Sequence, residues 1–444
     1  MKKQTLTSLV LAGMLLLCGC ADRDSSGSST SADASAAETA AAEYDGARSG
    51  DGCYDLVKEL KYFKMPLQRS GTCWLYAAIA SMQTAYEKQT GRSFEMDPFD
   101  ILEDIYGDGK QEGIIIRKGI DKGDIGGFQG FVTDRLSSEC KNGITLESSM
   151  VIDPTDREAI KKAVKTRGGV AASICDRNVE KGKFGGYLTV NYDKPEEYDH
   201  YVTIVGWDDS FPKEYFKLPA AEDGAWITYN SNVSGEYYYI SYCSPLDHTV
   251  SHTVSDKYSE VLSCDAGNEP DCYIKTDGST KAANVFSKKG RLGAVGTFND
   301  FDRQDIKIEI MSADFKNLLH TQEAVLEYHG YQTVELTQPL DVEDFAVVIT
   351  YSKGAPVEGE SFDTPVGSYK TSIDQGRSFV FAGGEWRDMT DSGIKSLVET
   401  GKGQSVLLRR NNALNRFLTD SDIEAMQSTD FSPGNFCIKA LFLK

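Results

Sequence analysis

The chain contains 444 residues with a mass of 48.8 kDa, which is more than one hydrophobic core usually holds, so the length predicts two or three domains. Hydrophobic residues make up 40% and charged residues 26%, a composition typical of folded soluble domains and too polar for a protein with many membrane spans. The 67 Asp and Glu against 47 Lys and Arg give a formal net charge of -20, which a nucleic acid backbone would repel. We therefore expect no nucleic acid partner.

The N-terminus has the pattern of a secretory signal. Lys2 and Lys3 precede an apolar stretch at residues 9–17, which is too short for a stable membrane span. The stretch ends in LCGC at residues 17–20, which resembles the lipobox of bacterial lipoproteins, where cleavage precedes the last cysteine. The resemblance implies a signal peptide at residues 1–19 and lipid attachment at Cys20. The alternative is an ordinary cleaved signal whose cysteine is incidental.

Residues 20–52 are predicted to form a flexible tether. From residue 21 the segment is nearly all Ser, Ala, Thr, Gly, Asp and Glu, with Tyr44 as its one aromatic residue, so it cannot bury a core. We therefore expect the folded part of the chain to lie outside the cytoplasmic membrane, as an anchored lipoprotein of the bacterial cell surface.

The chain has ten cysteines, and an exported protein can oxidise those that meet in space. One cysteine would leave with the signal peptide, Cys20 would carry the lipid, and Cys73 is a candidate nucleophile. An odd number remains, so at least one more thiol is expected. The pairing of Cys53, Cys140, Cys175 and Cys243 stays open at this point.

Cys73 lies at the predicted start of a helix. The segment at residues 68–74 (QRSGTCW) is turn-prone, and the apolar residues after it follow the i, i+4, i+7, i+11 spacing of one helical face: Leu75, Ile79, Met82 and Tyr86. Gly91 is predicted to end this helix. Because unpaired backbone amides and the positive end of the helix dipole favour an anion, we expect the pKa of Cys73 to fall below the ordinary value of about 8.5. A cysteine at a helix start is more often a buried or disulfide-bonded thiol, so the assignment depends on a partner base.

His200 has the most informative context of the five histidines. It lies in residues 199–209 (DHYVTIVGWDD), a β-branched, strand-like run that ends in a turn signal. A second strand-like run at residues 224–231 (GAWITYNS) leads to Asn230. In cysteine catalysis an imidazole takes the thiol proton and an amide orients the ring, and these enzymes place the His and Asn far downstream of the Cys. The order Cys73, His200, Asn230 therefore predicts that chemistry.

These three motifs, in this order, resemble the papain-like cysteine peptidases. Downstream, the segments AANVF at residues 282–286, LGAVG at residues 292–296 and FCIKA at residues 436–440 resemble a lectin-like β domain. Such a domain follows the peptidase in a group of bacterial cell-surface members of that family. The combined resemblance covers most of residues 53–444.

The resemblance implies a catalytic role for each of four residues. Cys73 would be the nucleophile, His200 the general base and acid, and Asn230 the residue that orients His200. Gln68 and the backbone amide of Cys73 would stabilise the oxyanion, where one donor contributes about 3 kcal/mol.

The sequence departs from the family pattern at two positions. Gln68 precedes Cys73 with one residue fewer between them than the family usually has, so the aim of its amide is in doubt. The tryptophan that usually follows the Asn-Ser pair is absent, and Asn232 stands in its place. Trp226 or one of the three tyrosines at residues 237–239 would have to shield the hydrogen bond between His200 and Asn230 from water.

The predicted fold class is α+β, with a papain-like peptidase of two subdomains at residues 53–247 and a lectin-like β-sandwich at residues 248–444. The first part mixes helices at residues 73–90 and about 156–167 with strands at residues 170–175, 200–207, 225–229 and 237–242. The second part shows short alternating strands at residues 306–310, 332–336 and 345–350. Aromatic residues such as Trp386 are predicted either to stack on sugars or to pack within the sheet.

The predicted function is an extracytoplasmic, lipid-anchored cysteine peptidase that hydrolyses peptide bonds through an acyl-thioester on Cys73. The alternative is a catalytically degenerate surface protein that binds carbohydrate or protein; the missing tryptophan and the shifted Gln68 favour it. A hydrolase or transferase acting on cell-wall amides would share the same chemistry. We expect protein or peptide substrates, a possible carbohydrate ligand of the C-terminal domain, and no cofactor or metal, since no group of His and Cys has zinc spacing.

Overall fold

The computed structural model describes residues 52–64, 66–106, 112–116, 121–123, 126–185, 187–195, 198–232, 237–266, 272–276, 278–358, 362–363, 367–392, 394 and 434–444. The predicted signal peptide, the tether up to residue 51 and Cys20 lie outside the described residues. Within the described ranges, no helix combines the length and the apolar run that a membrane crossing requires.

The helices whose bounds the structure gives lie before residue 216. The α-helices are α1 (Cys73–Thr90), α2 (Pro98–Tyr106), α3 (Gln129–Ser137) and α4 (Arg157–Thr166), and the short 3₁₀ helices are Leu56–Glu59 and Lys213–Tyr215. α1 ends at Gly91, which has a left-handed φ of 68° and donates its N–H to the carbonyl of Glu87. The predicted start at Cys73 and the predicted stop at Gly91 are therefore confirmed, and α4 lies within the range predicted for it.

Strands make up most of the remaining described chain. In the N-terminal part they are β1 (Cys53–Asp55), β2 (Gly113–Ile116), β3 (Thr145–Val151), β4 (Val170–Ile174), β5 (Lys181–Phe184), β6 (Tyr187–Val190), β7 (His200–Asp208), β8 (Ala225–Tyr229), β9 (Tyr237–Ser241) and β10 (Asp247–Ser255). In the C-terminal part they are β11 (Tyr258–Ser263), β12 (Cys272–Ile274), β13 (Thr280–Asn299), β14 (Gln304–Ser312), β15 (Leu318–Leu326), β16 (Gly330–Tyr351), β17 (Ala355–Val357), β18 (Phe362–Asp363), β19 (Gly367–Lys370), β20 (Ser378–Ala382), β21 (Glu385–Asp388) and β22 (Ile438–Leu443).

Helix α1 is buried on nearly every side and packs on the connection into β4. Ser81 donates its hydroxyl to the carbonyl of Gly169 at 2.6 Å, and the N–H of Gly169 donates to the hydroxyl of Thr84 at 2.9 Å. Gly168 has a φ of 135°, and a Cβ there would lie 2.5 Å from the Cα of Ala85. Only glycine fits at this close approach, so the helix contacts the sheet backbone directly.

β7 is the central strand of the peptidase-like part. It pairs antiparallel with β1, β4 and β8, and all nine of its residues are buried. Because β7 and β8 run in opposite directions, the first residue of β7 and the residue after β8 lie at the same end of the pair. His200 is the former and Asn230 is the latter, so the topology brings them together.

The C-terminal part is a β-sandwich built around two long strands, β13 and β16. These pair antiparallel along most of their length, and their inward residues, with those of β14, β20 and β22, form one hydrophobic core. β22 lies between β11 and β13, so the last strand of the chain is an interior one. β10 runs across the predicted boundary at residue 247 and pairs with β3 and β4 of the first part.

Seven cysteines of the described ranges are thiols. Cys140 donates to the carbonyl of Tyr258 and Cys175 to that of Arg177. The same thiol form is found at Cys53, Cys73, Cys243, Cys264 and Cys437. Disulfides therefore do not contribute to the fold among these seven residues.

His252 in β10 is a buried, uncharged histidine that generates a pH-dependence prediction. Its Nε2 lies 3.0 Å from the hydroxyl of Thr133 in α3, and its N–H donates to Ser81 in α1. Burial, together with the charge of Arg167, lowers the pKa of His252 to about 3. The unfolded chain, with an ordinary histidine pKa of about 6.5, takes up a proton below that pH while the folded chain does not, so stability falls as the pH drops.

We expect His252→Gln to remove this loss of stability at low pH. Between about pH 6.5 and about pH 4.5 the wild-type protein should lose about 2 kcal/mol of unfolding free energy relative to the variant. Urea unfolding of both proteins at the two pH values measures the difference, in which the other titrating groups cancel. Parallel pH curves for the two proteins would contradict the prediction.

Candidate active site

Cys73 is the first residue of α1 and its side chain is fully buried. Thr72 precedes it and donates its hydroxyl to the carbonyl of Arg69, while its own carbonyl accepts the N–H of Leu75 at 3.0 Å. The first amides of a helix have no partner within the helix, so the thiol lies where a negative charge is stabilised.

A hydrogen bond between a helix and a strand places Cys73 near the start of β7. Thr203 donates its hydroxyl to the carbonyl of Ala77, one turn along the helix from Cys73, at 3.1 Å. Tyr201, which follows His200, packs in the same hydrophobic cluster as Cys73. The N-terminal turn of α1 and the first residues of β7 are therefore neighbours.

His200 and Asn230 form a buried hydrogen-bonded pair, and each is less than one-tenth exposed. His200 Nε2 lies 2.8 Å from Asn230 Oδ1. The same oxygen accepts the backbone N–H of Asn232 at 2.9 Å, which fixes the side-chain amide with its oxygen towards both donors. Nε2 must therefore carry a proton, and Nδ1 is the ring nitrogen that can act as a base.

Gln68 is held beside this pair by Ser231. Ser231 donates its hydroxyl to Gln68 Oε1 at 2.6 Å and accepts the backbone N–H of Gln68 at 2.9 Å. Gln68 Nε2 donates to the carbonyl of Ser70 at 2.9 Å, and Ser70 has a left-handed φ of 56°. The shortened connection to Cys73 is thus closed by a turn, and the side-chain amide of Gln68 points into it.

Asp176 is a site residue that the sequence analysis missed. It follows β4, whose last residue Ile174 pairs with His200, and its N–H donates to Asp199 Oδ1 at 2.8 Å. Burial opposes ionisation of Asp176, but the nearby His200 and Lys181 and the hydrogen bond from Tyr238 together lower its pKa. A carboxylate therefore faces the histidine from the neighbouring strand.

Four aromatic residues are the candidates to shield the hydrogen bond between His200 and Asn230. Tyr238 is the one that contacts Asp176, whose pKa is influenced by His200. Its hydroxyl donates to Asp176 Oδ1 at 2.5 Å. The other three contact other regions: Trp226 packs on Tyr242, Tyr237 donates to Asp55, and Tyr239 stacks on Phe211. No signal in the sequence separated Tyr238 from its neighbours, because the distinction depends on the position of Asp176 across the sheet.

Trp386, the predicted sugar-stacking or core residue, packs against aromatic neighbours. Its ring stacks on Phe315 with centroids 4.4 Å apart and lies 5.4 Å from the ring of Phe381. These contacts favour the packing interpretation for one face of the indole. In the described ranges, no group of three or more His, Cys, Asp or Glu residues has the geometry to hold a metal ion.

Each of the two parts of the fold belongs to a recognisable structural class. The N-terminal part is a papain-like α+β arrangement, with a buried helix that begins at a cysteine and packs on an antiparallel sheet that begins at a histidine. In the C-terminal part, residues 271–399 match the family model described as a lectin-like domain.

Two solved structures show the same combination. The clostridial cysteine protease Cwp84 after propeptide cleavage matches with 15% identity and a TM-score of 0.63, over 89% of this chain and 100% of that chain. The cysteine protease and lectin-like domains of Cwp84, a surface layer associated protein of Clostridium difficile, match with 15% identity and a TM-score of 0.61, over 90% of each chain. The comparison with curated proteins found no match. The predicted resemblance and the predicted α+β fold with a C-terminal β-sandwich are therefore confirmed.

Glu87 fixes the segment that leads to Gln68. Its carboxylate, near the end of α1, accepts three successive backbone N–H groups, from Lys61, Tyr62 and Phe63. The last two bonds are each 2.7 Å long. Charge-assisted bonds of this kind are stronger than neutral ones, so Glu87 clamps the chain against helix α1.

We expect Glu87→Ala to lower the unfolding free energy by about 2 kcal/mol or more, since it leaves three backbone donors without their acceptor. Urea unfolding at neutral pH measures the loss. Glu95→Ala is the matched control, because Glu95 is an exposed acid, and it should stay within about 0.5 kcal/mol of the wild type. Equal effects of the two substitutions would contradict the clamp.

Proposed function

We propose that the protein is an extracytoplasmic cysteine peptidase that hydrolyses peptide bonds through an acyl-thioester on Cys73. The observation that carries the proposal is the 2.8 Å hydrogen bond between His200 Nε2 and Asn230 Oδ1. It holds the imidazole of His200 with Nε2 on the amide oxygen and Nδ1 as the basic nitrogen, in a buried position beside the helix that begins at Cys73. This combination is what an activated thiol requires.

In the first half of the reaction, His200 Nδ1 takes the proton of the Cys73 thiol and the resulting thiolate attacks the substrate carbonyl carbon. The negative charge that develops on the carbonyl oxygen is stabilised by the backbone N–H of Cys73 and by Gln68 Nε2. The protonated His200 then gives its proton to the leaving amine, and the acyl group stays on the sulfur.

In the second half, His200 removes a proton from water, which attacks the thioester and releases the acid product. Asn230 keeps the ring in one orientation through both halves, because its oxygen is fixed by Asn232. Asp176 lies on the side of the neighbouring strand and favours the imidazolium that forms in each half.

Gln68 has to release one hydrogen-bond partner before its side-chain amide can donate to the oxyanion. In the structure its Nε2 donates to the carbonyl of Ser70, while Ser231 holds its Oε1. Because Ser231 fixes the amide from the other side, a small rotation that releases Ser70 frees the N–H for the oxyanion. Gln68 is partly exposed and Ser70 is exposed, so substrate would approach from this side of the site.

The N-terminal sequence pattern and the structurally similar proteins support a location for this activity outside the cytoplasmic membrane. We propose that Cys20 carries a lipid and that residues 20–52 tether the enzyme to the bacterial cell surface. Cwp84, described as a surface layer associated protein, supports an extracytoplasmic location. Protein or peptide chains at the cell surface are then the substrates, and the lectin-like domain is where a carbohydrate ligand would bind.

The proposal is tested with a thiol-directed epoxide and a casein digestion assay on the full chain. The wild-type protein should take up one epoxide on Cys73 and digest casein, and Cys73→Ala should lose both, with digestion at least about 1000-fold lower. Peptide mapping by mass spectrometry locates the label.

Cys140→Ala is the matched control. Burial raises the pKa of Cys140 and its thiol donates to a backbone carbonyl, so this cysteine should not react and its loss should leave labelling unchanged. If folded wild-type protein neither labels nor digests casein, the peptidase proposal fails and a binding protein on a papain-like scaffold becomes the better interpretation.

The contact between Ser231 and Gln68 predicts non-additive kinetics. We expect Gln68→Ala to lower kcat/KM by roughly 100-fold through loss of an oxyanion donor, and Ser231→Ala by roughly 10-fold through loss of the bond that aims it. The double variant should be no slower than Gln68→Ala, because Ser231 acts through Gln68. Multiplied losses in the double variant would show that Ser231 acts independently.

A further inference from the structure

A lysine and two carboxylates are buried together inside the lectin-like domain. Lys439 lies in β22, Asp265 lies two residues beyond β11, and Glu358 directly follows β17. The side chains of Lys439 and Asp265 are 0% exposed, and Glu358 is also fully buried. Ionisable residues are rarely buried so completely, and the proposed peptidase mechanism uses none of the three.

Lys439 and Asp265 are in direct contact. Lys439 Nζ meets Asp265 Oδ2, and it also donates to the hydroxyl of Ser263 at 3.0 Å. Ser263 pairs with Lys439 in the register of β11 and β22, and its hydroxyl donates to Asp265 Oδ1 at 2.6 Å. The ring of Phe298 lies 6.0 Å from Nζ on the other side. The amine and the carboxyl group are thus held together, and both side chains are buried.

Glu358 lies beside this pair in its acid form. Its Oε2 accepts the N–H of Ala266, the neighbour of Asp265, at 2.8 Å, and Oε1 accepts the backbone and side-chain N–H groups of Asn435. Burial and the charge of Asp265 raise the pKa of Glu358 to about 8, against those hydrogen bonds. These surroundings favour the protonated form of the carboxyl group.

A permanent ion pair does not account well for this arrangement. Removing two charges from water is expensive, and the attraction between them repays that penalty only partly, so a buried pair is often less stable than an uncharged group of the same size. An amine and a carboxyl group that are held in contact can instead condense to an amide, which carries no charge.

We propose that Lys439 and Asp265 are joined by an intramolecular amide bond. Nζ of Lys439 attacks Cγ of Asp265, the N–C bond forms, and one C–O bond of the carboxyl group breaks. The departing oxygen takes two of the three protons of the original ammonium group and leaves as water, and the third proton stays on the amide nitrogen. No oxidation or reduction takes place, and no external reactant is needed.

Glu358 is the acid that makes this step possible. Its Oε2 accepts the N–H of Ala266, next to Asp265, and in the proposed step Glu358 acts as the acid for the departing oxygen. The rigid strands supply the rest, because groups held in contact react as if at very high concentration. The product ties the C-terminal strand β22 to the end of β11 within a fold whose described cysteines are thiols.

Peptide mapping of the full chain tests the proposal. After unfolding, trypsin should release residues 258–275 linked to residues 417–444, with a mass lower by one water than the sum of the two peptides. Cleavage after Lys439 should be blocked, since trypsin does not cut at an acylated lysine. Fragmentation of the linked species should place the bond on Asp265 and Lys439.

Two variants test which side chains the formation of the amide bond requires. Lys439→Arg keeps a positive charge but cannot form this amide, so its peptides should be linear. Glu358→Gln keeps the size and polarity of the side chain but lacks the acid, so the linked fraction should form roughly 100-fold more slowly after refolding. Wild-type protein that gives residues 417–439 as a full-yield linear peptide would overturn the proposal, whatever the variants do. This readout does not depend on Cys73 or on any peptidase activity.

Discussion

The packing of helix α1 on the backbone of β4 and β7 is the constraint on which the rest of the structure depends. Gly168 lets the helix approach the sheet closely, and three hydroxyl groups, those of Ser81, Thr84 and Thr203, join the helix to the sheet through hydrogen bonds. A helix buried on nearly all sides cannot shift without breaking these bonds, so its first residue has one position. Cys73 is that residue, and the same packing brings it to the end of the sheet where His200 and Asn230 meet.

Hydrogen bonds hold the candidate site at the positions where its sequence departs from the papain pattern. Asn232 stands where a shielding tryptophan is usual, and its backbone N–H orients Asn230. Ser231 reaches Gln68 across the shortened connection, with a turn at Ser70 that takes up the missing residue. The dipeptide Asn230-Ser231 therefore serves both sides of the candidate site: Asn230 fixes the ring of His200, and Ser231 fixes the side-chain amide of Gln68.

Local patterns in the sequence were sufficient to predict the helix and the strands that position the candidate site. The apolar spacing after Cys73 and the stop at Gly91 gave the bounds of α1, and β-branched runs gave β4, β7 and β8 to within a residue, because these signals lie within single segments. Asp176 and the clamp between Ser231 and Gln68 were not predictable, since each depends on which side chains meet across the sheet. The full lengths of β13 and β16 also escaped prediction, because turn-forming residues interrupt their alternation while the pairing of the two strands continues past bulges.

The alternation at residues 435–441 does not by itself show whether one face or both faces of the strand are buried. β22 lies between β11 and β13, and both of its faces are covered, so Lys439 is enclosed with Cys437 and Leu441. A charge in such a place needs a partner of matching chemistry, and Asp265 and Glu358 provide it from two separate strand ends. An amide bond between Lys439 and Asp265 removes both charges at once, which explains how an interior strand can carry a lysine without a standing electrostatic penalty.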